Sequence, residues 1–207
     1  MEKGYQYAFE QAWEAYRSGT IPIGAAILDP DGKLMSVGRN QCHSDGDGLI
    51  SMHQIAHAEI NSVLKLSEMR DAEIRKNIRT FTLYTTLEPC PLCFGAIVMG
   101  SIRNVKFAAR DNFAGAAVLN ERMDYIKNKK ISFVGPVDVA ENVQVAMQTC
   151  WELTRDAEGG FFKSVMPSWL QVCEDAVRLG ERLYQEQTLQ SMLDCKFEDV
   201  YNLIAKM

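Results

Sequence analysis

Apolar residues recur near the start of the chain at the spacing of one helical face, with charged residues between them. The apolar stripe consists of Tyr5, Ala8, Phe9, Ala12, Trp13 and Tyr16. A period of about 3.6 residues predicts an amphipathic helix over residues 2–18, and Gly19 suits the position just after its end.

After this helix, short β-rich runs alternate with helical patterns. Residues 22–29 and 33–39 flank the turn sequence Pro30-Asp31-Gly32 and predict a β-hairpin. Further strands are predicted over 80–86, 104–109 and 131–134. Helices are predicted over 56–67, 92–101, 142–155, 168–186 and 196–205. A polar loop is predicted over 40–51 and a charged loop over 70–79. This order predicts an α/β fold, a sheet with helices on its faces.

The length and composition suit one core domain with an added segment. Of the 207 residues, 47% are hydrophobic and 24% charged. We expect a core domain over 1–149 and a helical extension over 150–207 that packs on it. No run approaches the roughly twenty apolar residues that cross a bilayer, and the charged N-terminal helix is unlike a secretory signal. No membrane partner is therefore expected.

The cysteines and charges bear on location and partners. Six scattered cysteines in a chain of this size favour reduced thiols and a cytoplasmic location. The net charge is −5, and residues 138–207 hold 12 acidic and 6 basic side chains, a poor surface for nucleic acid. A stretch of basic residues keeps RNA binding as an alternative, although such stretches more often form a solvent-exposed surface. It consists of Arg103, Lys106, Arg110, Arg122, Lys127, Lys129 and Lys130.

Two short motifs carry candidate chemistry, His57-Ala58-Glu59 and Pro89-Cys90-Pro91-Leu92-Cys93. One imidazole and two thiolates are good zinc ligands, and a zinc ion held by three protein groups keeps a fourth position for water. Water at such a position ionises near neutral pH. A carboxylate beside it can move the proton.

The positions of these residues on their helices follow from their spacing. Helical residues i and i+2 do not face one another, so His57 and Glu59 can serve one ion only if His57 lies where its helix begins. Pro91 suits the first position of the next helix, which puts Cys90 at the cap and Cys93 one turn further on. The N-terminal end of a helix favours thiolates.

Other interpretations stay open on these residues alone. An isolated Cys-x-x-Cys is typical of a redox pair or of two buried thiols. If His43 or His53 were a fourth ligand, the site would be closed and structural, although a structural zinc has no use for the carboxylate of Glu59. Glu59 itself could be a solvated helix charge.

The pairing of His-x-Glu with Pro-Cys-x-x-Cys resembles the signature of zinc-dependent nucleobase deaminases. The similarity extends to HAEI at 57–60, TLEPCPLCFGAIVMGSI at 86–102 and VKFAARDNFAGAA at 105–117, with IPIGAAI at 21–27 also in order. Over residues 4–135 the chain thus resembles the cytidine and deoxycytidylate deaminase superfamily, and within it the tRNA-specific adenosine deaminases and guanine-deaminase-like enzymes.

The resemblance implies a three-layer α/β/α fold around a mixed five-stranded sheet, followed here by the helical extension. It implies that His57, Cys90 and Cys93 hold Zn²⁺ and that Glu59 is the catalytic proton shuttle. It also implies a homodimer or a higher homo-oligomer.

Substrate contacts are implied for several further residues. By the resemblance, Asn40 hydrogen-bonds the base and the backbone near Ile23 and Gly24 lines the pocket. Asp111, in the loop after the fourth strand, is another candidate for substrate binding. Phe113, Phe161 and Phe162 are aromatic candidates, although core packing is the commoner role of the last two.

We therefore expect a zinc-dependent hydrolase that removes an exocyclic amine as ammonia from a purine or pyrimidine base or nucleoside. A tRNA-specific adenosine deaminase is the alternative within the family. Two departures favour the small molecule: a longer loop over 40–57, expected to overhang the pocket, and a longer acidic tail beyond Val134. A non-catalytic, zinc-stabilised binding protein is the alternative of another class.

Overall fold

A mixed five-stranded sheet forms the centre of the molecule. The computed structural model describes residues 1–155 and 160–207, with side chains from 163 onward in the second range. The strands are β1 (Gly24–Leu28), β2 (Leu34–Arg39), β3 (Thr82–Leu87), β4 (Asn104–Ala109) and β5 (Ser132–Val134). Their order is β2-β1-β3-β4-β5; β1 runs antiparallel to both neighbours, whereas β3, β4 and β5 are parallel. The predicted sheet is confirmed.

Helices surround this sheet and account for most of the remaining chain. They are α1 (Lys3–Arg17), α2 (Ala58–Glu68), α3 (Ala72–Asn77), α4 (Pro91–Met99), α5 (Asp124–Lys127), α6 (Asp138–Arg155), α7 (Gly160–Gln185), α8 (Thr188–Ser191) and α9 (Phe197–Ile204). Short 3₁₀ turns lie at Ile78–Thr80 and Ala117–Glu121. No described helix combines the length and apolar character needed to cross a bilayer.

Alternating side chains of the strands fill buried clusters on both faces of the sheet. Ala26 and Tyr84 pack against the apolar stripe of α1 and against α6. Ile27, Leu83 and Val105 point to the opposite face, where α2 and α4 cover them. Because successive strand residues point to opposite faces, fully buried strands of this kind require a helical layer on both sides. The predicted three-layer α/β/α arrangement is confirmed.

The C-terminal helices join the layer that α1 forms. Phe9 stacks on Phe197 with ring centroids 5.1 Å apart, and the indole Nε1 of Trp13 donates to the carbonyl of Cys195 at 2.9 Å. Trp151 belongs to the same buried cluster. Helix α6 runs through the expected border at 149/150, so both expected parts of the chain contribute to one core.

Two predictions about local structure were wrong. Residues 70–79 are not simply a loop, because Asp71 caps α3 by accepting hydrogen bonds from the backbone N–H groups of Glu73 and Ile74 at 2.7 and 3.4 Å. The helix predicted from 168 already begins at Gly160 and continues through Pro167, with a break at Cys173. A proline removes only one N–H, so it can bend a helix without ending it.

Candidate active site

Three side chains with metal-binding atoms meet where two helices begin. His57 is the N-cap of α2, Cys90 is the N-cap of α4, and Cys93 lies in the first turn of α4 with Pro91 at its start. The Nδ1 atom of His57 lies 3.5 Å from the Sγ of Cys90 and 3.4 Å from the Sγ of Cys93. The placement predicted from the spacing of the two motifs is confirmed.

These distances fit a zinc ion. Tetrahedral zinc with Zn–N near 2.0–2.1 Å and Zn–S near 2.3 Å places nitrogen and sulfur ligands about 3.5 Å apart. The three ligand atoms all lie within 4.8 Å of one another. The donor set of one imidazole and two thiols is also typical of zinc rather than of magnesium or calcium, which prefer oxygen.

The fourth coordination position is not taken by another histidine. His43 stacks on Trp151 with ring centroids 6.2 Å apart, and Nδ1 of His53 accepts a hydrogen bond from the backbone N–H of Ile55. Within residues 1–155 and 160–207, the group His57, Cys90 and Cys93 is the one set of three or more His, Cys, Asp and Glu side chains close enough to hold a metal. This geometry leaves room for water or substrate and does not support the closed structural site.

Glu59 is not a solvated helix charge. Its side chain is buried, with Oε2 3.2 Å from the Sγ of Cys93 and Oε1 accepting a hydrogen bond from the Thr85 hydroxyl at 3.2 Å. Burial is the main cause that raises its pKa, and the charge of Cys90 adds to the effect. A carboxylate with a raised pKa takes up and releases a proton more readily near neutral pH.

The pKa values of the two thiols are shifted in opposite directions. A hydrogen bond from the Cys93 thiol, together with the His57 imidazole, holds the pKa of Cys90 well below its usual range. The same hydrogen bond and burial raise the pKa of Cys93. Zinc binds the thiolate form of cysteine, so metal binding at this group is coupled to the release of thiol protons.

A cavity of about 220 Å³ opens over this group of side chains. The core domain contributes Ile21, Ile23, His57, Glu59, Leu87, Glu88, Cys90, Cys93, Asp111, Phe113 and Ala114 to its wall. The C-terminal helices contribute Gln148 and Glu152 from α6 and Val165 and Trp169 from α7. The wall therefore combines apolar side chains with a few polar groups, as ligand sites commonly do.

The residues predicted to bind substrate fall into two groups. Ile23 and Asp111 line the cavity, whereas Asn40 and Gly24 are not among its described lining residues. The Oδ1 atom of Asn40 accepts hydrogen bonds from the Thr20 hydroxyl at 2.8 Å and from the backbone N–H of Cys42 at 3.0 Å. Gly24 faces α1 so closely that a Cβ atom would overlap the helix backbone. A substrate-binding role for these four residues stays a prediction.

The loop after β4 holds Asp111 in a fixed position. Its Oδ1 accepts hydrogen bonds from the backbone N–H groups of Phe113 and Ala114 at 3.0 and 2.9 Å. The carboxylate of Glu88 secures the same loop by accepting from the N–H of Ala117 at 3.0 Å. Burial raises the pKa of Asp111 despite these hydrogen bonds.

The loop over 40–56 does not cover the cavity as expected. Asp47 forms ion pairs with Arg39 and Lys65 at 3.0 and 2.8 Å. The side-chain oxygen of Asn61 accepts a hydrogen bond from the backbone N–H of Ile50. These contacts tie the loop to β2 and α2. None of its residues is among the described residues that line the cavity.

The part of the wall that comes from α6 and α7 had no recognisable sequence signal. Gln148, Glu152 and Trp169 lie in amphipathic helical patterns in which buried residues normally serve packing alone. Only the folded chain shows that these positions face the cavity. The side chains of Phe161 and Phe162, also candidates, lie outside the described residues.

Comparisons with known proteins agree with this geometry. Residues 1–109 match the model of the cytidine and deoxycytidylate deaminase zinc-binding region. A tRNA-specific adenosine deaminase of Haemophilus influenzae is 30% identical over 160 residues, 75% of this chain and 85% of that protein. A cytosine deaminase of Candida albicans is 29% identical over 153 residues, 73% of this chain and 85% of that protein.

Solved structures share the fold. A guanine deaminase from Nitrosomonas europaea superposes with a TM-score of 0.53 over 72% of this chain and 82% of that chain, at 18% identity. A structure from a study of tRNA:A34 deaminases gives 0.50 over 66% of this chain and 91% of that chain, at 24% identity. From the family match and the ligand geometry together, we conclude that this chain belongs to the cytidine and deoxycytidylate deaminase family and is a zinc-binding hydrolytic deaminase.

Proposed function

We propose that this deaminase removes the exocyclic amine of a free nucleobase or nucleoside and releases it as ammonia. The observation that carries this proposal is the enclosure of the site by α6 and α7. Gln148, Glu152 and Trp169 line the same cavity as the side chains that would hold the metal. The cavity of about 220 Å³ lies below the roughly 300–1,000 Å³ of pockets for drug-sized ligands, so it suits a ligand of one or two rings.

Each residue of the site has a role in the proposed reaction. His57, Cys90 and Cys93 would hold zinc, which when bound supplies Lewis acidity that makes water a nucleophile near neutral pH. Glu59 would take a proton from that water and deliver it first to a ring nitrogen and then to the leaving amine. Thr85 would orient the carboxylate through its hydrogen bond to Oε1. Proton transfer by a placed carboxylate contributes roughly 10²–10⁴-fold to rate.

Apolar side chains would hold the ring in place for this attack. Ile21, Ile23, Leu87 and Val165 supply apolar surface to the cavity. Asp111, and Asn40 in the role that the family resemblance implies, would select the polar edge of the base. We further propose that the protein works in the cytoplasm, where its six free cysteines stay reduced, and that it forms a homo-oligomer.

Deamination of adenosine in tRNA is the second candidate, favoured by the similarity to the Haemophilus influenzae protein. The basic stretch gives it limited support. Lys106 is engaged in an ion pair with Glu2 at 2.7 Å, and Lys129 lies 4.4 Å above the ring of Tyr125. A tRNA anticodon loop would also have to reach a cavity whose wall is formed in part by the C-terminal segment. The acidic side chains of that segment repel the phosphates of RNA.

Substrate assays on the zinc-loaded protein separate these candidates. Ammonia release would be measured with adenine, guanine and cytosine and with their nucleosides, and inosine formation with tRNA under the same conditions. We expect turnover of at least one small molecule. Activity on tRNA alone would overturn the proposal, and no activity on any of these substrates, at full zinc content, would favour the non-catalytic binding protein.

A further inference from the structure

Two glutamines of α6 form a short chain of hydrogen bonds beside the cavity. The Nε2 of Gln144 donates to the carbonyl of Pro22 at 2.9 Å and to the Oε1 of Gln148 at 3.4 Å. A backbone carbonyl can only accept, so the end of Gln144 that faces Pro22 must be its NH₂ group. The end of Gln148 that faces Gln144 must then be its oxygen. The NH₂ group of Gln148 is therefore the end that is turned away from this chain.

That NH₂ group is available to a ligand. Within residues 1–155 and 160–207, the bond from Gln144 is the one hydrogen bond of the Gln148 side chain. Gln148 is 7% exposed, and its Nε2 is not among the enclosed polar atoms that lack a partner, so this nitrogen keeps accessible surface. By contrast, the Oε1 of Gln144 is enclosed and unpaired. Gln148 lines the same cavity as His57 and Glu59, where a bound molecule can meet it.

The other polar groups of the cavity wall differ from Gln148 in their chemistry. Outside the metal group and Glu59, the polar side chains among the described lining residues are Glu88, Asp111, Gln148, Glu152 and Trp169. Three of them end in carboxyl groups, which accept hydrogen bonds when they are ionised. The indole N–H of Trp169 is enclosed. Among these five side chains, Gln148 thus supplies the N–H donor that a ligand can reach.

A wall with carboxylates and one accessible amide donor suits a ligand that carries an acceptor next to an N–H group. A ring carbonyl beside a ring N–H, as in cytosine and guanine, provides this combination, whereas adenine has no carbonyl. The carbonyl oxygen also stands outside the ring and has two lone pairs, so a donor in the wall reaches it more readily than a ring nitrogen.

We propose that the side-chain N–H of Gln148 donates a hydrogen bond to the ring carbonyl of the bound base. The protein then accepts bases that carry both an amine and a carbonyl in preference to adenine. This inference rests on the proposed function and narrows its substrate class. It also gives α6, at the border of the C-terminal extension, a part in selecting the substrate.

Equilibrium binding to zinc-loaded Glu59→Gln protein tests this bond without interference from turnover. Calorimetry would compare cytosine with 4-aminopyrimidine and guanine with 2-aminopurine, analogues that keep the amine but lack the carbonyl and the N–H beside it. For the base that the wild-type protein deaminates best, we expect its analogue to bind at least about tenfold more weakly, since the bond to Gln148 is lost.

The double variant Glu59→Gln/Gln148→Met removes the donor and keeps a side chain of similar length. We expect it to bind the parent base about tenfold more weakly and the analogue as before, so the preference falls by about tenfold. A second variant, Glu59→Gln/Gln148→Glu, keeps the shape but replaces the donor by an acceptor, and it should weaken binding of the parent base at least as much. Each preference is a ratio within one protein, so a general loss of stability does not imitate the effect.

Glu59→Gln/Gln190→Met is the matched control. Gln190, on α8, is half-buried, and its Nε2 already donates to the Thr154 hydroxyl at 3.1 Å. Gln190 is not one of the described residues that line the cavity. This variant should keep the affinity and the preference of the Glu59→Gln protein.

Three results would count against the inference, and one of them also against the proposed function. If the wild-type protein deaminates cytosine or guanine but Gln148→Met leaves the preference over the analogue intact, the inference fails alone. It also fails alone if adenine or adenosine is the sole small molecule that is deaminated. If no base or nucleoside binds and none is deaminated at full zinc content, the proposed function fails and the inference with it.

Discussion

At the scale of single residues, a substitution of Cys93 tests the assigned zinc ligands directly, because this residue supplies one of the three ligand atoms of the metal group. Its Sγ lies between Nδ1 of His57 and Oε2 of Glu59, at 3.4 and 3.2 Å. Cys93→Ser should lower zinc affinity by more than about 100-fold, since even the loss of an outer partner of a ligand costs about 10–100-fold. Metal analysis of the purified, dialysed protein measures this loss.

Cys195→Ser is the control for this substitution. Cys195 is a free, half-buried cysteine far from the metal group in the chain, and it belongs to the core that α1 forms with the C-terminal helices. The variant should retain one equivalent of zinc. A Cys93→Ser protein that also retained a full equivalent would contradict the assigned ligand set.

The residues of the metal group were predictable because their chemistry and spacing restrict each other. His57 could face Glu59 only from a helix cap, and Pro91 fixed where the next helix begins, so two short motifs defined one site. Trp169 was not predictable. Whether a buried side chain of a C-terminal helix lines the cavity depends on chain segments far apart in sequence, and no local pattern records it.

At the scale of elements, close packing of α1 on β1 supports the strand that leads into the site. A Cβ atom at Gly24 would overlap the carbonyl of Ala8 and the backbone nitrogen of Ala12, which cannot rotate away. Gly24→Ala should therefore lower the free energy of unfolding by about 1–3 kcal/mol, the usual cost of overpacking. Chemical denaturation of the zinc-loaded protein measures the change.

Gly95→Ala is the matched control, because the same atom is added without a clash. Gly95 lies within α4, and a Cβ atom there would have no neighbour within 4 Å. Alanine in a helix is favoured over glycine by about 0.5–1 kcal/mol, so this variant should be more stable. Equal effects of the two substitutions would argue against the close approach of α1 and β1.

Most elements could be predicted because their patterns are local. The stripe of α1 and the β-rich run of β4 were identified close to their observed bounds. Helix α3 was missed because its sequence is charged and it buries no residue, so the Asp71 cap is its main local signal. The position of the loop over 40–56 relative to the cavity was predicted wrongly. The ion pairs of Asp47 that hold this loop depend on the tertiary fold, which the local sequence does not show.

At the scale of the whole molecule, one core joins the catalytic layer to the C-terminal helices. Phe9 and Trp13 of α1 pack with Leu183, Phe197 and Val200 in a single buried cluster. A chain that ends at residue 149 would expose this surface to water. Burying one large apolar side chain contributes about 1.5–3 kcal/mol, so the loss of several exceeds the stability of an ordinary domain.

We therefore expect the chain 1–149 to lack a cooperative unfolding transition, as measured by circular dichroism during heating. A chain that lacks only 205–207 is the control, because those residues are exposed. It should unfold at the temperature of the full-length protein. If the chain 1–149 instead unfolded cooperatively at that same temperature, the extension would be a separate addition and would not complete the core.

The central claim for the molecule is that a metal group and one buried carboxylate together perform hydrolytic deamination. The most direct measurement is ammonia release by Glu59→Gln protein beside wild type, with zinc content determined on the same samples. Glutamine keeps the shape of the side chain but cannot move the proton. We predict an unchanged zinc equivalent and a kcat lowered by roughly 10²–10⁴-fold or more. A variant that kept both its zinc and its kcat would contradict the account.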